Sequence, residues 1–428
     1  MKGHSDAGTS TRDAELAGVL GDVAAGLHGV SIPSDIVEME LREIGKAQGV
    51  PVETLILESR LELQVGRSPG SEVVLRTVES DPNLNLRRLS DLQAIASRLR
   101  GSGVATSADL AGTRREIAEI VSRPAPFGAM AVGLAYGVYG AAVSARVGGG
   151  WTEVLAGIAV GLVAGLVHFG STRSRRLDLL QSFTGALCGT LAAFLLRRAL
   201  PPFDEARAVY GGISLLAPGT MLTIGTLEIV HEAPESGVLR LAYALLRFVM
   251  MGFGAAVALQ VYGLFGSPPG AASPQALPKL IQFGLVTLGG LALTVCLQGR
   301  WRDAPWMVAG VVVAFGSEEL SKLLLPPDGS PFLAMFLLTA VAIGQYRLGG
   351  RLPAVLIIPG FLQIAPSFLG TESVLALLRP GAHHEAGDTF FHVMLLALQL
   401  VTGLLIAEAA FGWRGPRAAR GGTSGDAR

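Results

Sequence analysis

From Pro126 to Phe411 the chain is a nearly unbroken series of apolar segments, each close to the about 20 residues that a helix needs to cross a hydrocarbon layer of about 30 Å. They fall near 127–147, 151–169, 178–199, 208–230, 238–265, 279–298, 304–325, 331–347, 353–371 and 389–412. The series predicts a polytopic α-helical membrane protein with about ten transmembrane helices. Composition agrees: at 50% hydrophobic and 16% charged residues, with a mean hydropathy of +0.48, the chain is too apolar and too charge-poor for an ordinary soluble protein. Glycine and alanine recur inside the segments, as in Leu155-Ala156-Gly157-Ile158-Ala159-Val160-Gly161, and small residues let membrane helices approach closely.

The 125 residues ahead of this series read differently. Residues 1–126 carry 14 Lys and Arg against 18 Asp and Glu, a mildly acidic balance that argues against nucleic acid as a partner. A Ser/Thr/Gly-rich start is expected to form a disordered or weakly ordered tail over residues 1–30. An amphipathic stretch follows around Ile36–Gln48, then strand-like runs at Thr54–Val65 and Val73–Val78. Leu55, Leu57, Ser59, Leu61 and Leu63 alternate with Ile56, Glu58, Arg60, Glu62 and Gln64, leaving one mostly polar face. Helices are predicted over Leu86–Gly101 and Ser107–Ser122, the second capped by Ser107 with Asp109. Residues 31–125 therefore form a small soluble α+β domain; His4 and His28, both ahead of it, are the only histidines before the membrane segments, and no nucleophile lies beside a base. The chain is not expected to be an enzyme and has no catalytic residues. Cys188 and Cys296 are far apart in apolar runs and fit neither a disulfide framework nor a metal site. His383, His384 and His392 near Glu385 and Asp388 read as solvated loop residues, so no metal or other cofactor is expected. With no signal-type apolar run in the first 30 residues, the front domain stays in the cytoplasm.

Short loops give the orientation, because Lys and Arg favour the cytoplasmic side. Arg173, Arg175 and Arg176, then Arg300 and Arg302, then Arg351 with Arg347 nearby, and the tail residues Arg414, Arg417 and Arg420 all fall inside if the N-terminus does. Arg197 and Arg198 fall outside and are an exception. The expectation is a multi-pass plasma-membrane protein with both termini cytoplasmic, ending in a disordered basic tail over 414–428.

The segments also repeat. Leu215-Leu216-Ala217-Pro218-Gly219 in the fourth is echoed by Ile357-Ile358-Pro359-Gly360 in the ninth, and Trp151 with Ala156-Gly157-Ile158 in the second by Trp306 with Ala309-Gly310-Val311 in the seventh. Five segments per copy, 126–267 and 277–413, is an odd number, so the second copy enters the membrane from the opposite side and the halves are inverted repeats. An interior proline removes a backbone hydrogen bond at a cost of about 3 kcal/mol, and such a break inside a membrane is tolerated where it is packed in protein or lines a cavity. Half-helix N-termini suit a carboxylate and freed carbonyls suit an ammonium, so Pro218, Gly219, Thr220, Pro359, Gly360 and Gln363 are the candidate substrate-binding residues.

Asn83-Leu84-Asn85-Leu86-Arg87-Arg88-Leu89, Gly211-Gly212-Ile213-Ser214-Leu215-Leu216-Ala217-Pro218-Gly219 running into Leu227-Glu228, and Arg240-Leu241 with Arg247 together resemble the threonine/serine exporter family over nearly the whole chain. The resemblance implies a cytoplasmic N-terminal domain, ten helices in two halves, and export of threonine and serine driven by the proton gradient.

Ionisable residues within membrane segments are costly and so are functional candidates. Glu318, Glu319 and Lys322 in the seventh segment are the foremost, with Glu318 and Lys322 at the i, i+4 spacing that brings opposite charges together. Arg247 is either a substrate contact or a snorkelling side chain, Glu228 and His231 sit near a helix end, and His168 and Glu408 read as structural. Two functions stay open: a secondary transporter of small polar amino acids and protons, and a membrane-anchored regulatory or channel-like protein whose front domain does the work. The partners expected are the amino acid, protons and the lipid bilayer, without nucleic acid; a homo-oligomer stays open.

Overall fold

The computed structural model describes residues 3–30, 32–57, 60–66, 72–77, 85–101, 103–231, 233–265, 275–325, 329–349, 353–364 and 383–412. The basic tail at 414–428 and the loop residue Arg351 lie outside them. The chain divides into two units. The first combines Met1–Pro124 with Glu228–Ser236 and Gly412–Arg428; the second holds Ala125–Leu227 and Gly237–Phe411.

In the first unit, α1 (Gly3–Gly29) and α2 (Ser34–Gln48) precede three antiparallel strands, β1 (Val52–Leu57), β2 (Arg60–Val65) and β3 (Glu72–Thr77), in the order β1-β2-β3. Helices α3 (Leu86–Gly101) and α4 (Ser107–Ser122) follow. Within the start expected to be disordered over residues 1–30, Gly3–Gly29 is instead a helix. Leu16, Val19, Leu20, Val23 and Leu27 recur at helical spacing and are buried, and α1 packs on β2, β3 and α4. Tertiary packing of that stripe stabilises a helix that its Gly- and Ser-rich flanks conceal.

The single alternating run Thr54–Val65 resolves into two strands, and this changes which residues face inward. Leu57 pairs with Arg60, Ile56 with Leu61 and Val52 with Val65. Partners directly opposite share a face, so the inward set is Val52 and Ile56 on β1 but Leu61, Leu63 and Val65 on β2, while Leu55 is exposed. The hairpin reverses the parity that an unbroken strand would keep. Likewise the cap of α4 is Thr106 rather than Ser107. Its hydroxyl accepts from Asp109 N (3.3 Å) and Asp109 accepts from Thr106 N (3.0 Å), a reciprocal capping box.

The start of α2 has another arrangement. Its N-cap is Pro33, whose side chain offers no acceptor. Glu228, from the 228–236 stretch of the same unit, fills that role: its carboxylate accepts from both Ser34 N and Ser34 Oγ at 2.9 Å. His231 Nδ1 lies 2.6 Å from Asp35 Oδ2, and Ser236 Oγ donates to Ile56 O at 2.8 Å.

The second unit is helical: α5 (Ala129–Arg146), α6 (Trp151–Ser171), α7 (Arg175–Leu179), α8 (Gln181–Leu196), α9 (Glu205–Ile213), α10 (Gly219–Val230), α11 (Pro234–Gly263), α12 (Lys279–Cys296), α13 (Ala304–Leu324), α14 (Ser330–Gly349), α15 (Ala354–Ile364) and α16 (His383–Ala410), with the ends of α10 and α11 reaching into the first unit's 228–236 stretch. Each of the apolar segments holds a helix, but about ten full-length spans is not what the described residues show. Among the described residues five helices are long and apolar enough to cross a membrane: α6, α11, α12, α14 and α16. The pair formed by Glu205–Leu216 and Gly219–Val230, bent by 56°, makes a sixth if it is one span. Of the others, α8 has 16 residues and α15 has 11, α5 is diluted by Tyr136, Tyr139, Ser144 and Arg146, and α13 carries Glu318, Glu319 and Lys322.

Large apolar side chains cover the outside of this unit, including Leu280 at 82% and Leu323 at 84% exposure, which suits a lipid surround. Small residues bring its helices together. A Cβ added at Gly212 of α9 would lie 2.7 Å from Gly161 N of α6, and one at Gly310 of α13 would run into the Leu356 carbonyl of α15. The second segment thus packs on the fourth, and the seventh on the ninth.

Candidate functional site

The Pro218-Gly219 pair breaks its helix. Helix α9 ends at Ile213, a 3₁₀ turn covers Ser214–Leu216, and Ala217 is extended before α10 starts at Gly219. The first bond of α10 runs from Leu222 N to Pro218 O (3.1 Å), so the amides of Gly219, Thr220 and Met221 are first-turn donors without a partner inside the helix. Pro359-Gly360, expected as a second break, behaves differently: α15 runs continuously through Pro359. Its missing N–H leaves the Val355 carbonyl without the usual helix bond, and the chain stays wound.

Gln363, one turn beyond Pro359, is 1% exposed, and neither its amide oxygen nor its nitrogen has a hydrogen-bond partner among the described residues. Beside it, Tyr139 Oη of α5 donates to Leu362 O at 3.2 Å. The residue after Tyr139 is Gly140, where an added Cβ would come within 3.2 Å of Gly212 Cα in α9. One stretch of α5 therefore touches both α9, just ahead of the first Pro-Gly pair, and α15, just beyond the second. Neither Tyr139 nor Gly140 was signalled by spacing, because their partners are remote in sequence.

A polar cleft of about 570 Å³ opens at one end of the same unit, lined by Arg146, Val147, Gly148, Asp204, Ala206, Arg207, Tyr210, Glu318 and Lys322. Glu318 is held by Arg146 Nη1 (3.0 Å) and Lys322 Nζ (2.8 Å). Lys322 also reaches Glu319 at 3.2 Å, and Glu319 meets Lys279 of α12 at 2.7 Å. The predicted Glu318–Lys322 pair is thus the centre of a five-residue network.

On the facing side Arg207 pairs with Asp204 (3.1 Å) and donates to Gly148 O. Gly148 has φ of 86°, a left-handed conformation that favours glycine, and an added Cβ would meet the Arg207 guanidinium at 2.9 Å. Glu153, buried in the first turn of α6, braces this rim by accepting from Gly150 N and Asp204 N, both at 2.8 Å. Arg197, one of the two arginines that depart from the charge rule, is buried and paired with Glu205 at 2.8 Å.

The remaining candidates lie apart from the cleft. Arg247 is 3.9 Å from Asp178. Glu228 belongs to the first unit, where it caps α2. His168 bonds Gln181 Nε2 through Nδ1 (2.9 Å) and stacks on Tyr136.

Comparison with known proteins bears on what such an arrangement serves. The curated relatives include "Pheromone-regulated membrane protein 10" of Debaryomyces hansenii, 24% identical over 243 residues, 53% of this chain and 24% of that protein. The protein of the same name in Yarrowia lipolytica is 25% identical over 257 residues, 56% of this chain and 21% of that one. An uncharacterized protein of Schizosaccharomyces pombe is 29% identical over 125 residues, 27% of this chain and 15% of that one. The matched stretch spans about a quarter or less of the length of these relatives. No solved structure matches. The sequence profile of the family described as "Putative threonine/serine exporter" matches residues 21–262, which take in most of the first unit, the Pro218 break and α11. That match covers more than half of the sequence, and the chain belongs to the threonine/serine exporter family.

Proposed function

We propose that this membrane transporter exports small polar amino acids, threonine and serine, from the cytoplasm in exchange for protons. The observation that carries the reading is the pairing of a broken helix, α9–α10, with a buried amide at Gln363, unpartnered among the described residues, on the neighbouring side of α5. The first-turn amides of Gly219 and Thr220, which have no partner inside the helix, suit a carboxylate, and the Val355 carbonyl, which lacks its helix bond beside Pro359 and Gly360, suits an ammonium. Glu318 or Glu319 carries the proton, with Lys322 as counter-ion. In this reading the ten apolar segments form two inverted halves with both termini in the cytoplasm, and the packing of α6 on α9 and of α13 on α15 is the same contact made once in each half.

The test is export of a panel of radiolabelled amino acids from loaded cells and from proteoliposomes under an imposed pH gradient. Threonine and serine are expected to leave faster than larger or apolar amino acids, and Glu318→Gln to lower gradient-driven export at least tenfold while threonine–threonine exchange continues. If no amino acid in the panel moves, the reading is wrong.

A further inference from the structure

We infer that the Glu228–Ser236 stretch is a proton-sensitive clamp through which the first unit brakes the movement of α10. The brake rests on the exporter reading, in which the first turn of α10 holds the substrate carboxylate; the clamp rests on its own geometry.

Three side chains of the stretch grip α2 and β1. Glu228, fully buried, accepts from Ser34 N and Ser34 Oγ, and Ser236, 1% exposed, donates to Ile56 O. His231 Nδ1 meets Asp35 Oδ2 in the first turn of α2. What they hold leads straight back to the Pro218 break, because α10 is one continuous helix from Gly219 to Val230. Helix α11 leaves beside it: a Cβ added at Gly225 would lie 2.9 Å from Gly237 O. A grip on residues 228–236 is therefore a grip on both helices.

Of these side chains histidine is the one whose ordinary pKa, about 6.5, lies near neutral pH. A carboxylate only accepts, so Nδ1 carries the hydrogen, and a separation of 2.6 Å is at the short end where charge-assisted bonds lie. Asp35 depends on this contact, since its Oδ1 is buried and has no hydrogen-bond partner among the described residues. The two side chains are 24% and 22% exposed, so protons reach the pair from water. The charged groups around it are Glu38 and Arg42 on α2, Glu228 on α10, and Glu235 and Arg240 on α11, with Glu232 next to His231 in sequence. Glu38 is raised from its ordinary value by burial first, against the pull of Arg42 and with the push of Asp35 and Glu235. A charged imidazole gains the ion pair with Asp35, whereas a neutral one keeps only the hydrogen bond. The clamp is therefore tightest below about pH 6.5 and loosens as the pH rises past it. In an exporter that takes up protons, acidification of the compartment holding the first unit then slows further uptake.

The test compares the wild-type full chain with His231→Asn, which keeps a neutral donor near the Nδ1 position. Threonine–threonine exchange is measured in proteoliposomes with equal pH on both sides, so that no gradient drives it, and hydrogen exchange of the α2 and α10 amides is followed at the same pH values. At about pH 5.5 the variant is expected to exchange threonine about threefold faster than wild type at unchanged KM, and its first-turn α2 amides to lose protection about threefold; at about pH 8 the two proteins coincide. Asp35→Asn is expected to give the same pattern and decides if His231→Asn misfolds. Equal protection of wild type and variant at about pH 5.5 overturns the clamp. Altered protection with an equal or slower exchange rate overturns the brake. If wild type moves no amino acid at any pH, the exporter reading and the brake fall together, while a pH-dependent difference in protection leaves the clamp standing.

Discussion

Glu228 sits at the end of an apolar segment, where a carboxylate invites assignment to substrate or proton chemistry, yet its partners are the first amide and hydroxyl of α2. An ionised carboxylate at a helix N-terminus is favoured by the unpaired N–H groups and the dipole there. Replacing it with alanine strands a buried donor, so Glu228→Ala is expected to destabilise the first unit by about 1–3 kcal/mol. Thermal unfolding together with hydrogen exchange of the α2 amides measures this, and combining it with Ser34→Ala should cost less than the two separately. Strict additivity, with α2 unchanged, would remove Glu228 from the cap. Sequence spacing reached Glu318 and Lys322 because helical geometry links residues four apart. It could not reach Arg146, whose partner Glu318 lies 172 positions away, nor the bond from Asp204 N to Glu153, which spans 51 positions. Long-range charge pairs leave no local signature.

Helices were legible wherever hydropathy alone decides, and each apolar segment does contain one. What escaped was governed by packing or by connection: α1, whose buried stripe is set in small and polar residues, and β1, whose inward face follows from a hairpin that alternation does not reveal. The two Pro-Gly pairs show the same limit, since identical residues break one helix and leave the other wound. The unwound pair gives a sharp expectation. Changing Pro218 and Gly219 to alanine makes α9–α10 easier to wind by a few kcal/mol, roughly 3 from proline and 1 from glycine. If the break binds substrate, this double variant is well expressed and its threonine export falls at least tenfold. If the break serves only packing, straightening it forces α10 against neighbours shaped for the bend, and expression falls together with export. Export at the wild-type rate from a well-expressed variant would exclude Pro218 and Gly219 from the binding site.

Across the whole molecule the path of the chain is the remaining question, and the 56° bend concentrates it in one place. Between Ser174 and Gln275 lie the five-residue α7, too short to cross, then α8, the α9–α10 pair and α11. If the bent pair crosses the membrane as a broken span, three crossings separate the two positions and they face opposite sides. A re-entrant pair reduces the crossings to two, and both positions face the same side. Arg173 and Arg176 favour the cytoplasmic side for the Ser174 end in both cases, so charge does not choose between them. Inverted halves require an odd number of crossings in each, which selects the first case. In a background with Cys188 and Cys296 replaced by alanine, single cysteines at Ser174 and Gln275 are therefore expected to differ: an impermeant maleimide added to intact cells should label position 275 and reach position 174 only after permeabilisation. Labelling of both from one side would make α9–α10 a re-entrant pair, leave four crossings in the first half, and end the inverted-repeat reading, since two halves with an even number of crossings run parallel.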